Sequence, residues 1–105
     1  MSDSSPLIRF TISFDIKPGS QQIYYQFMIS QFIPAMQNLG LQMTDAWHLV
    51  YGKYPSRINS FVGLDLDSMK AVLEGPEWEN LEKRLKEYVI NYSWRMIPLR
   101  EGFQL

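Results

Sequence analysis

The chain has no cysteine and a single histidine, His48, among its 105 residues. Without thiols it has no disulfide, no thiolate nucleophile and no thiolate-held metal. One histidine cannot supply an imidazole pair, and no carboxylates fall at ligand spacing, so no metal and no cofactor are expected. A surplus of one charge is also missing: ten Lys and Arg stand against eleven Asp and Glu, for a net charge of −1. That balance gives no electrostatic reason to bind nucleic acid or an anionic membrane. No apolar run approaches the ~20 residues that span a bilayer. Residues 1–6, Met-Ser-Asp-Ser-Ser-Pro, lack a basic region followed by an apolar one, so no secretory signal is read there and a cytoplasmic location is the expectation. Phosphate-binding glycine loops, nucleophile elbows and His-Glu-x-x-His patterns are absent too.

What is present is a globular composition, 46% hydrophobic and 14% aromatic, expected to form one domain over residues 1–105. Residues 1–6 are read as a flexible N-terminus and 101–105 as a tail. From Leu7 to Ile16 apolar and polar side chains alternate without a break. A strand there puts Ile8, Phe10, Ile12, Phe14 and Ile16 on one wall and Arg9, Thr11, Ser13 and Asp15 on the other. Lys17-Pro18-Gly19-Ser20 is a turn whose final hydroxyl can cap a helix over Gln21 to Leu39. Within that helix Pro34 removes a hydrogen bond at a cost of ~3 kcal/mol, which predicts a kink or break near Ser30 and Gln31. Gly40 suits a left-handed C-terminal cap.

Two further strands are read at Leu41 to Gly52 and Ile58 to Leu66, joined by Lys53 to Arg57 as a hairpin connection. Asp67-Ser68 is placed as the cap of a short helix through Leu73, and Gly75-Pro76 starts another. On that last helix Trp78, Leu81, Leu85 and Val89 form the buried face, with Glu79–Lys83 and Glu82–Lys86 as solvated pairs. The final strand is Tyr92 to Arg100. The order is βαββαβ with a split second helix. Right-handed crossovers plus one hairpin give an α+β, ferredoxin-like, four-stranded antiparallel sheet in the order 4-1-3-2, with its helices on one face.

The other face is left bare. It is expected to carry Arg9, Thr11, Ser13 and Asp15 from the first strand. From the third it would carry Asn59, Phe61, Gly63 and Asp65, with Ile58, Val62, Leu64 and Leu66 toward the helices. Strands two and four divide into no clearly polar side, and apolar groups left on both faces call for a second partner. A second copy packed sheet to sheet is the economical one.

Lys17-Pro18-Gly19, Ile33-Pro34-Ala35-Met36, Gly40-Leu41, Ala46-Trp47 and Gly75-Pro76-Glu77-Trp78 succeed one another at characteristic intervals. In this the chain resembles NIPSNAP-like members of the dimeric α+β barrel superfamily over about residues 8 to 98. The resemblance implies a homodimer whose two sheets form a barrel with a cavity on each open face. It also implies kinship with antibiotic-biosynthesis-type monooxygenases, haem-degrading enzymes, stress-response barrel proteins and isomerases, without fixing an activity. The haem-degrading branch uses an Asn, a Trp and a helix-borne His together. Neither helix here carries a histidine, so that part does not transfer.

The expected function is binding of a small apolar or aromatic molecule on the open sheet face, with cofactor-free monooxygenase or isomerase chemistry as its catalytic form. The alternative is a non-catalytic dimerisation or ligand-sensing module. Candidate catalytic residues are His48 as base, the one side chain titrating near neutrality, with Arg95 and Asn59 polarising the cavity. Arg9, Thr11, Ser13, Trp47 and Phe61 are the candidate ligand-binding residues. Each has a plainer reading. His48 fits a strand interface, Arg9 and Arg95 fit pairs with Asp15 or Asp65, and the aromatics fit core or interface packing. Tyr24 and Tyr25 could flank a cavity mouth, whereas Lys53 and Arg57 read as solvated loop cations. The RNA-recognition motif shares this element order, but strand three lacks its basic and aromatic signature, and RNA binding is disfavoured.

Overall fold

A computed structural model describes residues 7–51 and 54–98, with the backbone alone at residues 45, 47–51, 54 and 55. Along the chain lie β1 (Ile8–Ile16), α1 (Gln21–Phe27), a π-helical turn (Met28–Phe32), α2 (Ile33–Asn38), β2 (Gln42–Tyr51), β3 (Tyr54–Gly63), α3 (Leu66–Leu73), α4 (Pro76–Leu85) and β4 (Val89–Pro98). The four strands form one antiparallel sheet in the order β2-β3-β1-β4. This is the expected ferredoxin-like α+β arrangement, an open sheet with helices packed on one side. The alternation of β1 is realised residue by residue: its five apolar side chains are buried and its four polar ones half-buried.

The core beneath the helices is an aromatic chain. The Phe10 ring meets Trp78 edge-on at 5.3 Å, Trp78 meets Phe32 at 6.1 Å, and Phe32 meets Phe61 at 6.2 Å. The first two are edge-to-face and the third is tilted; edge-to-face pairs add ~0.5–1.5 kcal/mol each beyond the area they bury. This chain ties α4, the π-helical turn, β1 and β3 together.

Pro34 acts as expected, and the form of the break is now explicit. The helix widens by one residue over Met28–Phe32, where the Ile33 amide donates to the Met28 carbonyl, and Pro34 then occupies the first turn of α2. Pro34 has no amide to donate and its ring crowds the carbonyl four residues back, and the widened turn just before it is how the continuous helix accommodates both. Gly40 is left-handed at φ +95°, as the C-terminal stop requires.

Several boundaries and caps differ from the sequence reading. Ser20 precedes α1, but its side chain makes no cap bond. The cap of α3 is Asp65, whose carboxylate accepts the Ser68 amide at 2.8 Å, and Asp67 lies in the first turn. Asp65 is therefore a helix cap and not a residue of an outward strand face. That amide bond, with the Ser68 side chain, holds its carboxyl below the usual carboxylate range. The β2–β3 ladder continues to Tyr51 opposite Tyr54, so Tyr54 to Arg57 belong to the strand instead of a loop. β3 stops at Gly63, and Leu64 turns left-handed at φ +53°. Val89 is buried, as expected, but it opens β4 and does not extend α4.

Gly63 is the most tightly confined of the described glycines. At φ +155° its α-carbon faces the Gly40 carbonyl so closely that any β-carbon would collide with it. Gly63→Ala is expected to lower the unfolding free energy by about 2–3 kcal/mol, because backbone strain and a fixed backbone neighbour act together. Gly19→Ala has nothing within 4 Å of its new methyl and should cost only about 1 kcal/mol for the left-handed conformation. Urea denaturation of the two variants checks this ordering, and equal losses would contradict it.

Candidate functional site

On the open face Arg9, Thr11, Ser13 and Asp15 stand as expected, away from the core. The register adds Ile58, Ser60 and Val62 from β3 and Ser93, Arg95 and Ile97 from β4. The Thr11 and Ser60 hydroxyls lie 3.0 Å apart. Asp15 partners no arginine among the described residues. It accepts from the Ser56 hydroxyl at 2.6 Å and from the Asn91 amide at 2.7 Å. With Asp65 capping α3, both acids expected to pair with Arg9 and Arg95 are engaged elsewhere. Arg95 is exposed, and the buried Nε of Arg9 has no partner among the described residues.

The expected faces of β3 are reversed. Phe10 lies opposite Phe61, Ile12 opposite Asn59 and Phe14 opposite Arg57. Residues directly opposite in an antiparallel pair share a face, so Arg57, Asn59, Phe61 and Gly63 stand on the helix side. Phe61 is fully buried against Phe32 and is a packing residue, not a ligand wall. Asn59 is only 3% exposed. Arg95 sits opposite Thr11 on the far face, so Asn59 and Arg95 cannot converge on one ligand.

Asn59 opens instead into a crevice of about 210 Å³ between α1 and the β2–β3 half of the sheet. Met28, Ile29 and Ile33 form its helical wall, and Met43 and Ala46 its wall on β2. Tyr24, Tyr25, Arg57 and Asn59 supply the polar groups. The β2 wall depends on a bulge. Met43 faces Phe61 and Ala46 faces Asn59, so three residues of β2 span two of β3. The extra residue switches the alternation, and Thr44 beside it donates its hydroxyl to the Ser60 carbonyl at 3.3 Å. Because of this switch neither simple alternating set of β2 holds along the whole strand.

Within the crevice Tyr24 is 3% exposed. Burial raises its phenol above the ordinary value, outweighing the opposing influence of the adjoining Asn59 carboxamide and the nearby Arg57 charge. Tyr24 is therefore a protonated donor at neutral pH. The Asn59 Nδ2 has no partner of full hydrogen-bond geometry among the described residues, and neither has the buried Nε of Arg57. The Arg57 guanidinium sits over the Tyr25 ring at 5.0 Å from its centroid. Period two counted from Asn59 was the signal that would have placed Arg57 here, had it not been assigned to the loop.

The side chains of His48 and Trp47 lie outside the described residues. The backbone register pairs His48 with Arg57 and Trp47 with Ile58. Among the described residues no group of three or more His, Cys, Asp and Glu is arranged to hold a metal. No described helix is long and apolar enough to cross a membrane.

An unpaired buried amide costs roughly 1–3 kcal/mol, so the Tyr24–Asn59 pair is expected to weaken the fold. The double variant Tyr24→Phe/Asn59→Leu should match or exceed the parent in unfolding free energy, and a loss above about 2 kcal/mol would mean that the pair holds the fold together. The raised phenol has its own signature. Below pH 10 the native and unfolded phenols are both protonated, while above it the unfolded chain ionises first, so stability falls as pH rises. Tyr92, also pushed upward by burial and by Glu82, acts in the same direction. Tyr24→Phe should shallow that decline without abolishing it, as read from urea unfolding at a series of pH values.

No family model matches the sequence, and no curated protein does. Solved structures do match. A NIPSNAP family protein from Agrobacterium tumefaciens is 16% identical, covering 98% of this chain and 94% of its own with a TM-score of 0.68. An uncharacterized NIPSNAP domain protein from Burkholderia xenovorans is 13% identical, covering 93% and 98%, with a TM-score of 0.69. SnoaB, a cofactor-independent oxygenase from Streptomyces nogalater solved as an asparagine-to-alanine variant, is 13% identical, covering 93% and 97%, with a TM-score of 0.67. Likeness at these identities establishes the fold: the chain has the ferredoxin-like α+β architecture that NIPSNAP family proteins share with a cofactor-independent oxygenase.

Proposed function

We propose that this protein binds a small, largely apolar or aromatic molecule in the crevice beneath α1, and that it works as a homodimer joined through the open sheet face. The observation that carries the first part is the Asn59 amide, buried at the floor of an apolar crevice with no partner of full hydrogen-bond geometry for its Nδ2 among the described residues. Buried polar groups in native proteins are almost always paired, and a ligand oxygen is the partner this one fits. A volume near 210 Å³ suits a compact molecule, since a dry cavity of about 150 Å³ already accepts benzene. The site is thus moved from the open face to the space between the layers.

The oxygenase among the structural relatives supports cofactor-free oxygenation as the chemistry to test first. In it Asn59 would hold the oxygen of a phenol or enol as the molecule gives up its proton, with His48 as the base read from the sequence. A second reading, a non-catalytic ligand sensor, is favoured by the character of the described polar groups. Amide, guanidinium and protonated phenol can hold a ligand by hydrogen bonds, and none of them is a base at neutral pH. Binding is common to both readings. The dimer is supported by Ile58, Val62 and Ile97 on a face that no described helix covers, Ile97 being 42% exposed.

Phenol serves as the binding probe. Its titration into isotope-labelled protein is expected to shift the amides of Met28, Ile29, Met43 and Ala46, and Asn59→Leu should abolish the shifts. Shifts centred on Arg9, Thr11 and Ser93 would return the site to the open face, and no shifts at all would overturn it. Light scattering at micromolar concentration should give twice the chain mass of 12.4 kDa, and a monomer would sink the dimer.

A further inference from the structure

Resting on the crevice as the binding site, we infer that Arg57 makes it selective for organic anions, the preferred ligand being a compact molecule with an apolar body and one carboxylate. Arg57 and Asn59 are two residues apart on β3 and share the helix-side face, which sets their α-carbons ~6.6 Å apart. Both line the crevice, and each presents a buried N–H without a partner among the described residues. The two oxygens of a carboxylate can accept from two such donors at once.

The lining charge is one-sided. None of the described lining residues is acidic, and the half-buried Asp15 is on the opposite face, held by Ser56 and Asn91. Nothing described there neutralises Arg57, so its charge is left for the ligand. Its placement over Tyr25 engages the π face of that ring, and a guanidinium so seated keeps its in-plane N–H groups for an acceptor. Tyr24 adds a third donor beside Asn59. Met28, Ile29 and Met43 accept the apolar body. A neutral alcohol of the same size gains the apolar contacts but leaves the cation uncompensated. A cation of that size is repelled.

The test compares benzoate with benzyl alcohol, close in size and different in charge, by calorimetry and by ligand-observed NMR. On the parent protein benzoate should bind about tenfold more tightly. Arg57→Gln should cut benzoate affinity about tenfold and leave benzyl alcohol within twofold, erasing the preference. Arg57→Lys, which restores the charge, should recover most of it. Equal binding by the parent, or a preference that survives Arg57→Gln, overturns the selectivity while leaving the crevice as the binding site. Failure of both probes to bind overturns the crevice reading and the inference with it. Thermal unfolding of each variant separates a lost preference from a lost fold, and benzyl alcohol binding by Arg57→Gln is itself the folded-site control.

Discussion

The packing of Phe61 opposite Phe10 decides which side of the sheet each residue of β3 occupies. A slip of one residue between β1 and β3 would send every β3 side chain to the other face. The register is held by size: Phe61 enters the helix layer, meets Phe32 and through it Trp78, and Trp78 closes back on Phe10. With Phe61 inside, Asn59 and Arg57 are carried beneath α1 by period two alone. No polar interaction at those positions has to favour the placement. The aromatic contacts do so, and the buried amide is a cost that the same register imposes.

Two irregularities then give the space its shape. The π-helical turn at Met28–Phe32 places Phe32 in the core and Ile29 and Ile33 along the crevice. Such widened turns concentrate at functional sites in helices. The bulge of β2 does the same from the sheet, changing the residue set that faces α1 between Met43 and Ala46. Each departs from a regular period, and together they separate helix from strand over Asn59.

The parts of the fold that the sequence made legible are those with long unbroken patterns. β1 alternates over nine residues and α4 carries Trp78, Leu81 and Leu85 on one stripe; Pro34 and Gly40 announced their backbone effects by chemistry alone. The sequence pattern of β3 points to the wrong face for a specific reason. Ile58, Val62, Leu64 and Leu66 look like a period-two wall, but Gly63 ends the strand, so two of those four residues belong to a turn and a helix. Against the remaining Ile58 and Val62 the larger ring of Phe61 wins the core. The candidate site failed with it, because Asn59 was placed beside Arg95 when the sheet divides them. A bulge such as that near Thr44 leaves no mark in residue type, which is why β2 looked ambiguous on both sides.

The division between the faces bears on how one small sheet could serve two purposes. Arg9 and Arg95 stand on the open side and Arg57 on the other, separated by the thickness of the backbone layer. On the proposed reading a ligand in the crevice would meet one described cation, Arg57, beside Asn59 and Tyr24. A second copy covering the open face would meet the other two arginines among hydroxyls of Thr11, Ser13, Ser60 and Ser93. Hydroxyls can donate or accept, so such a face can satisfy itself across a twofold axis without a fixed pattern of opposite charges. Of the crevice groups, the Arg57 guanidinium has no such freedom. It only donates, and on the proposed reading that requirement makes the helix side, not the open side, the place where a small molecule would be chosen by its charge.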